Sequence, residues 1–418
     1  MNIRSVSFFL RLLCFWIICV PGSGVLNPAV AQPNNAPKPD PVLLISIDGF
    51  AANYMDRFPV PRLRQLAAGG VASRSLIPVF PTKTFPTHYS MVTGLYPDQT
   101  GVISNNMEDP DLPGRFSLRN REAIIDGRWY GGEPVWNTIQ RQGLSAATLF
   151  WVGSEAEIGG MRPDIWRPYR SNMSYRARID TVMEWLTRPE ENRPDLVTLY
   201  LNRVDIAGHR YGLESGELEE AVAEVDHWIG VLLDELEATG LRDHINLLLV
   251  SDHGMSALDE ERLIFLDDLI DLDRVEMIDW TPVAMMNPAD GESVDNLVEI
   301  LSRPDEPWQI WRKEEIPDRF RFGSHVRVPE IVMLADPGYM FTSRPFFRRN
   351  GLIKATHGYD AEHPEMHGIL MASGPAFRRG AKTESIESIH LYALICHLLG
   401  VEPAPNEGRL DAVEELLQ

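Results

Sequence analysis

Five short apolar runs, at residues 42–47, 147–151, 196–201, 245–250 and 368–372, limit what this chain can fold into more than any other feature. A strand that is apolar along its whole length, rather than at alternate positions, is buried on both faces, as in a parallel sheet covered by helices. Amphipathic stretches separate several of the runs. The clearest, over 217–238, places Leu218, Val222, Val225, Ile229, Leu232, Leu233 and Leu236 on one stripe, with Gly240 as its C-terminal stop. This alternation predicts an α/β fold with a mostly parallel central sheet and helices on both faces. Residues 260–350 break the rhythm with a candidate helix over 292–301 and an aromatic, basic tract over 308–322. They read as a small α+β insertion within one domain that spans 42–418.

The N-terminus has a different character. Arg4 and Arg11 precede nine apolar residues over 12–20, and a small-residue stretch ends in Ala29-Val30-Ala31. The pattern is that of a secretory signal peptide over 1–31, and its apolar run is too short to span a bilayer. Cys19 offers the alternative of a lipid anchor, although Ile18 is a poor residue before a lipidated cysteine. Residues 32–41, rich in Pro, Asn and Ala, read as a disordered lead-in. With no second apolar span, the product is expected to be exported, either periplasmic or secreted.

The formal charge is -21, and removal of Arg4 and Arg11 with the leader takes it two lower, to -23. Such a chain lacks the clustered cations that duplex nucleic acid requires. An anionic substrate would need metals for local positive charge. Leader cleavage also removes Cys14 and Cys19, which leaves Cys396 without a partner for an internal disulfide, and its apolar surroundings predict a buried thiol.

Chemistry-bearing residues stand where the predicted strands stop. Asp48-Gly49 follows the first run, and Asp252-His253-Gly254 follows the run at 245–250. Asp205 and His209 lie four residues apart beyond the run at 196–201, a spacing that lets both face one ion from a single turn of chain. His357 is a further candidate. Carboxylates and imidazoles that converge at strand ends favour zinc over magnesium or calcium. The stretch 81–88 contributes hydroxyls at Thr82, Thr84 and Thr87, any of which could act as a nucleophile beside a metal pair.

Several motifs together carry a resemblance. Asp48-Gly49-Phe50, Thr82-Lys83-Thr84-Phe85-Pro86, Thr93-Gly94-Leu95-Tyr96-Pro97, Gly131-Gly132-Glu133-Pro134-Val135-Trp136, Ser251-Asp252-His253-Gly254-Met255 and His357-Gly358-Tyr359-Asp360 occur in order along the chain. This set resembles the nucleotide pyrophosphatase/phosphodiesterase family of the alkaline phosphatase superfamily. The resemblance implies an alkaline-phosphatase-like fold and an enzyme with two zinc ions per chain. One zinc would be held by Asp205, His209 and His357, the other by Asp48, Asp252 and His253 with the Thr84 hydroxyl. Thr84 would be the nucleophile, forming a threonyl-phosphoryl intermediate, and Asn105 would donate to a nonbridging phosphate oxygen. Phe85 and Tyr200 would sandwich a nucleobase, and Trp151 would form a further pocket wall. Val152, Glu155 and Thr87 depart from residues common in relatives, all around the substrate's organic group.

The expected activity is hydrolysis of nucleotide phosphodiester or pyrophosphate bonds to nucleoside 5'-monophosphates. Two enzymatic alternatives keep the same metals: lipid or choline phosphodiesters, disfavoured by Thr82-Lys83-Thr84-Phe85, and phosphate monoesters, disfavoured because no arginine adjoins Thr84. A non-catalytic zinc-binding module would require a lost ligand or nucleophile, and every matched position is present.

Overall fold

The computed structural model describes residues 38–418. Eight strands form the central sheet: β1 (Val42–Ile47), β2 (Val71–Ser73), β3 (Ala146–Leu149), β4 (Ile165–Arg167), β5 (Leu196–Leu201), β6 (Asn246–Val250), β7 (Leu370–Ser373) and β8 (Ala381–Thr383). Their spatial order is β8-β2-β7-β6-β1-β5-β3-β4. All pairings are parallel except those of β7, which runs antiparallel to both β6 and β2. The sheet is thus mixed, with one strand reversed.

The continuous apolar runs are explained by what lies on each face. Along β1, Leu43, Ile45 and Ile47 pack into one core with Leu63, Ile179, Val182, Val222, Ile229 and Leu232 of three helices. Val42 and Leu44 point the other way, into a core with Met91, Val92, Trp136, Ile139, Leu391 and Leu394. Burying both faces satisfies every position of the strand. The helix Gly216–Ala238 buries its whole predicted stripe, and its first turn is capped by Ser215 Oγ, which accepts from the Leu218 amide at 3.2 Å.

Within the insertion, Val275–Asp279, Val283–Pro288, Ile331–Ala335 and Trp308–Arg312 form an antiparallel sheet in that spatial order. Ala284, Met286, Ile331 and Met333 pack against Leu297 and Leu301 of the helix Val294–Leu301. Ile278, Val283, Met285, Val332 and Leu334 face the main core instead. One face of this small sheet is therefore continuous with the body of the molecule.

Some boundaries differ from the sequence reading. The run at 147–151 stops as a strand at Leu149, because Phe150 adopts a positive φ of 68° that strand pairing cannot continue. The run at 368–372 becomes β7, starting only at Leu370. Gly368 lies in close approach, where a Cβ would stand 2.3 Å from the Ser251 carbonyl oxygen. The three-residue strands β2, β4 and β8 are too short to show a hydrophobic pattern. The end of the lead-in also needs correction: Pro41 is buried and its carbonyl accepts the Asn246 amide at 2.9 Å, so packing begins before β1. The leader 1–31, with Cys14 and Cys19, lies outside the described residues. Among the described residues, no helix is long and apolar enough to cross a membrane. Cys396 is a free, buried thiol, its pKa pushed up to about 12 by desolvation.

Candidate active site

The site forms where the adjacent strands β6, β1 and β5 end together. Ile47 pairs with Leu201, and Ser46 with Val250, so the residues after these three strands emerge side by side. The Asp48 amide donates to Leu201 O at 2.9 Å and the Asp205 amide to Asp48 O at 3.1 Å, while Asp252 Oδ1 accepts the Gly49 amide at 3.1 Å. Gly49 has a φ of 70°, and a Cβ there would lie 2.8 Å from Asp205 Cα. Its lack of a side chain lets the two aspartate-bearing segments touch.

Asp205 and His209 share the helix Arg203–Tyr211, one turn apart, with His209 Nε2 3.2 Å from Asp205 Oδ1. His357 enters from a short antiparallel pairing of Ser256–Ala257 with Ala355–Thr356. Its ring stacks on that of His253 with centroids 3.5 Å apart, and its Nε2 lies 3.6 Å from Asp205 Oδ1. His253 Nε2 stands 3.4 Å from Asp48 Oδ1 and 3.1 Å from Asp252 Oδ2.

The three histidines are held in one way. His209 Nδ1 faces Ala355 O at 2.8 Å, His253 Nδ1 faces Gly254 O at 3.0 Å, and His357 Nδ1 faces Thr82 O at 2.8 Å. A carbonyl only accepts, so each Nδ1 carries the proton and, in the neutral ring, each Nε2 presents a lone pair. Opposite them stand Asp48 Oδ1, Asp205 Oδ1 and Asp252 Oδ2, all buried and without a hydrogen-bond partner. Lone pairs facing lone pairs in a buried pocket repel unless cations lie between them.

Among the described residues, two groups are compact enough to hold an ion, with all ligand atoms within 4.8 Å of one another: Asp48, Asp252 and His253, and Asp205, His253 and His357. His253 belongs to both. Carboxylate oxygen and imidazole nitrogen are a donor set that suits zinc.

The electrostatics show the same crowding: burial disfavours charge on His209 and His253, but Asp205 and Asp252 raise the two rings above the ordinary imidazole value. Burial, then the charges of Asp252 and Asp205, drive the Asp48 carboxyl well above its ordinary pKa. At Asp205, burial pushes upward but His209 and the other imidazoles prevail, which holds it at about 2. Burial also opposes ionisation of Asp252, yet His253 and His88 keep it well below the ordinary range. Burial and His253 press His357 well down toward the neutral ring that a ligand must be.

Among the three candidate hydroxyls, placement differs sharply. Thr82 Oγ1 donates to Tyr359 O at 3.0 Å and accepts the Gly358 amide at 2.9 Å, so it is spent on holding the His357 loop. Thr87 Oγ1 is buried without a partner. Thr84 opens the helix Thr84–Thr93 at a half-buried position, with Oγ1 3.3 Å from His253 Nε2. Asn105 is beside it: its Oδ1 accepts the Phe85 amide at 3.0 Å, which leaves the Nδ2 end free to donate.

Of the aromatic residues expected around the substrate, Phe85 is half-buried, edge-on to Phe116. Tyr200 donates its hydroxyl to Asp48 Oδ2, with its ring against His88 and Tyr169. Trp151 is 2% exposed, and its Nε1 donates to His88 O at 3.1 Å, a contact to the Thr84 helix. Two neighbours escaped the sequence reading. His88 is fully buried, with Nε2 2.8 Å from Ser46 Oγ and Nδ1 2.9 Å from Thr84 O and 3.2 Å from Asp252 Oδ2. It bridges the Thr84 segment to a metal-ligand candidate, and only its place four residues after Thr84 hinted at that. Tyr169, at 42% exposure, presents an open aromatic ring beside Tyr200.

Comparison with known proteins gives a consistent result. The family described as type I phosphodiesterase/nucleotide pyrophosphatase matches residues 42–360. Human ectonucleotide pyrophosphatase/phosphodiesterase family member 1 is 36% identical over 90% of this chain and 42% of its own length. Venom phosphodiesterase of Macrovipera lebetinus is 34% identical over 94% of this chain and 47% of its own. The chain thus spans less than half the length of these relatives. Among solved structures, murine ectonucleotide pyrophosphatase/phosphodiesterase 5 superposes with a TM-score of 0.86 at 34% identity, covering 90% of this chain and all of that one. An inactive variant of the same murine protein was solved in complex with AMP, and it superposes equally well, at 33% identity. With the family pattern running through every strand end that builds the site, this chain belongs to the type I phosphodiesterase/nucleotide pyrophosphatase family.

Proposed function

We propose that this chain is a zinc-dependent phosphodiesterase that hydrolyses nucleotide phosphodiester or pyrophosphate bonds to nucleoside 5'-monophosphates. The observation that carries the reading is the Thr84 hydroxyl at a helix N-terminus, 3.3 Å from His253, beside three partnerless carboxylate oxygens that face imidazole nitrogens. Asp48, Asp252 and His253 would hold one zinc, with Thr84 Oγ1 beside it; Asp205, His209 and His357 would hold the other. When bound, the pair supplies positive charge that favours the threonine alkoxide and neutralises the leaving oxygen.

The residues do the rest. Thr84 Oγ1 attacks phosphorus in line, its bond to phosphorus forms as that to the leaving group breaks, and water then hydrolyses the threonyl ester. The Asn105 amide donates to a nonbridging oxygen, where a preorganised donor is worth about 2.7–4 kcal/mol. The first turn of the Thr84–Thr93 helix aims its positive end at the same place. Lys83, the cation nearest Thr84 in sequence, is buried against Asp279 and adds no clamp for the second charge of a monoester, which favours diesters. Phe85 and the open ring of Tyr169 supply aromatic surface for a base, and the AMP complex of the murine relative supports a nucleotide. Tyr200, sequence-matched to the base sandwich, would act mainly through Asp48. The leader pattern supports export.

The test compares a chromogenic nucleotide diester, a choline phosphodiester and a simple monoester, before and after chelation and zinc return. The nucleotide diester is expected to be the best substrate, with turnover lost on chelation and restored by zinc, and Thr84→Ala is expected to be inactive. Wild-type turnover by Thr84→Ala would remove Thr84 as nucleophile, and a preference for the monoester would overturn the diesterase assignment.

A further inference from the structure

The inserted sheet reaches into the catalytic loops through one carboxylate. Asp279 ends the strand Val275–Asp279 and is 3% exposed. Its Oδ2 lies 2.5 Å from Lys83 Nζ and accepts the Ser104 hydroxyl, while Oδ1 accepts Asn106 Nδ2 at 3.0 Å and the Trp280 amide at 2.8 Å. Lys83 also donates to Ser104 Oγ at 3.3 Å, which closes the network. The three side chains it gathers have a common feature. Lys83 immediately precedes Thr84, and Ser104 and Asn106 stand on either side of Asn105.

Local backbone geometry shows that this aim is built in. The pairing of the strand with Val283–Pro288 shifts register between Met277 and Asp279, the kind of irregularity that re-aims a side chain. Stability alone is a poor account of such a pair, because a buried ion pair is often replaceable by apolar residues at no cost.

Resting on the proposed roles of Thr84 and Asn105, we propose that Asp279 is a positioning residue that holds the nucleophile and the oxyanion donor in one frame. The insertion then has a role in turnover: it preorganises two loops that approach the same phosphorus from different parts of the chain. Displacements on the order of 1 Å at such a site cost about 100-fold in rate.

Asp279→Asn keeps the shape and removes the charge. In the zinc-loaded full chain, we expect it to lower kcat on a chromogenic nucleotide diester by about 10- to 100-fold, with KM little changed. Combined with Asn105→Ala, it should cost much less than its effect alone, because part of its action passes through Asn105. In the metal-free chain, the Phe85 amide, which donates to Asn105, should exchange faster with solvent. Ser104→Ala removes a donor and no charge, so it carries the test if Asp279→Asn unfolds, with a several-fold loss of kcat expected. A folded variant with kcat within about twofold of wild type, a loss that multiplies fully with Asn105→Ala, or unchanged Phe85 exchange would overturn the proposal. Wild-type turnover in a parallel Thr84→Ala control would instead sink the nucleophile assignment on which it rests.

Discussion

Tyr200 shows how a single atom changes the reading of a residue. Its aromatic character suggests a stacking surface, but its hydroxyl is committed to Asp48 Oδ2. That donation lowers the Asp48 pKa against burial and two neighbouring carboxylates, which raise it. In Tyr200→Phe the Asp48 pKa should rise further, so the carboxylate takes up a proton at higher pH and binds a cation less well. We expect zinc affinity to fall about 10- to 100-fold, measured by competition with a chromogenic chelator, and the acidic limb of the rate profile to move to higher pH. Unchanged zinc affinity would show that the hydroxyl does not tune this ligand. His88 teaches the same lesson, because its place four residues after Thr84 hints at the contact with Thr84 O, while nothing near it in the sequence marks the one with Asp252.

Elements bring these residues together, and the close approach of the segment after β1 to the helix Arg203–Tyr211 shows how. Gly49 combines a φ of 70° with a would-be Cβ contact of 2.8 Å to the Asp205 backbone, so neither conformation nor space admits a side chain. Gly49→Ala should displace Asp205 relative to Asp48 and reduce kcat/KM by about 100-fold or more, as a misplacement of roughly 1 Å does elsewhere. Near-normal turnover would mean that the two segments can separate without harm. Element prediction itself followed a clear physical divide. The helix Gly216–Ala238 and strands β1, β5 and β6 were legible because burial imposes a long, regular apolar pattern. Strands β2, β4 and β8, at three residues each, carry too few positions for any period to show.

At the scale of the molecule, the site is also an electrostatic burden on the fold. Asp48, Asp205 and Asp252 each carry a buried oxygen without a partner, and the crowding is severe enough to hold the Asp48 carboxyl well above its ordinary range. Cations that bind the folded state and relieve this repulsion must stabilise it. Chelation should therefore lower the melting temperature by several degrees as well as abolish turnover, with both restored by zinc; calorimetry and activity on one sample would check this. A melting temperature indifferent to metal would contradict the electrostatic reading. Residue types, the apolar runs and the placing of Asp48, Asp205 and Asp252 just past strands are local properties, and these the sequence determined by itself. Family resemblance added the pairing of ligands and the choice of Thr84. Only the tertiary structure decided which hydroxyl reaches the cluster, the reversal of β7, the bridge made by His88 and the grip of Asp279 on Lys83, Ser104 and Asn106. Each of those depends on partners far apart in the chain, 196 residues in the case of Lys83 and Asp279, brought together by strand order and register, and no local pattern of side chains encodes a distance of that kind.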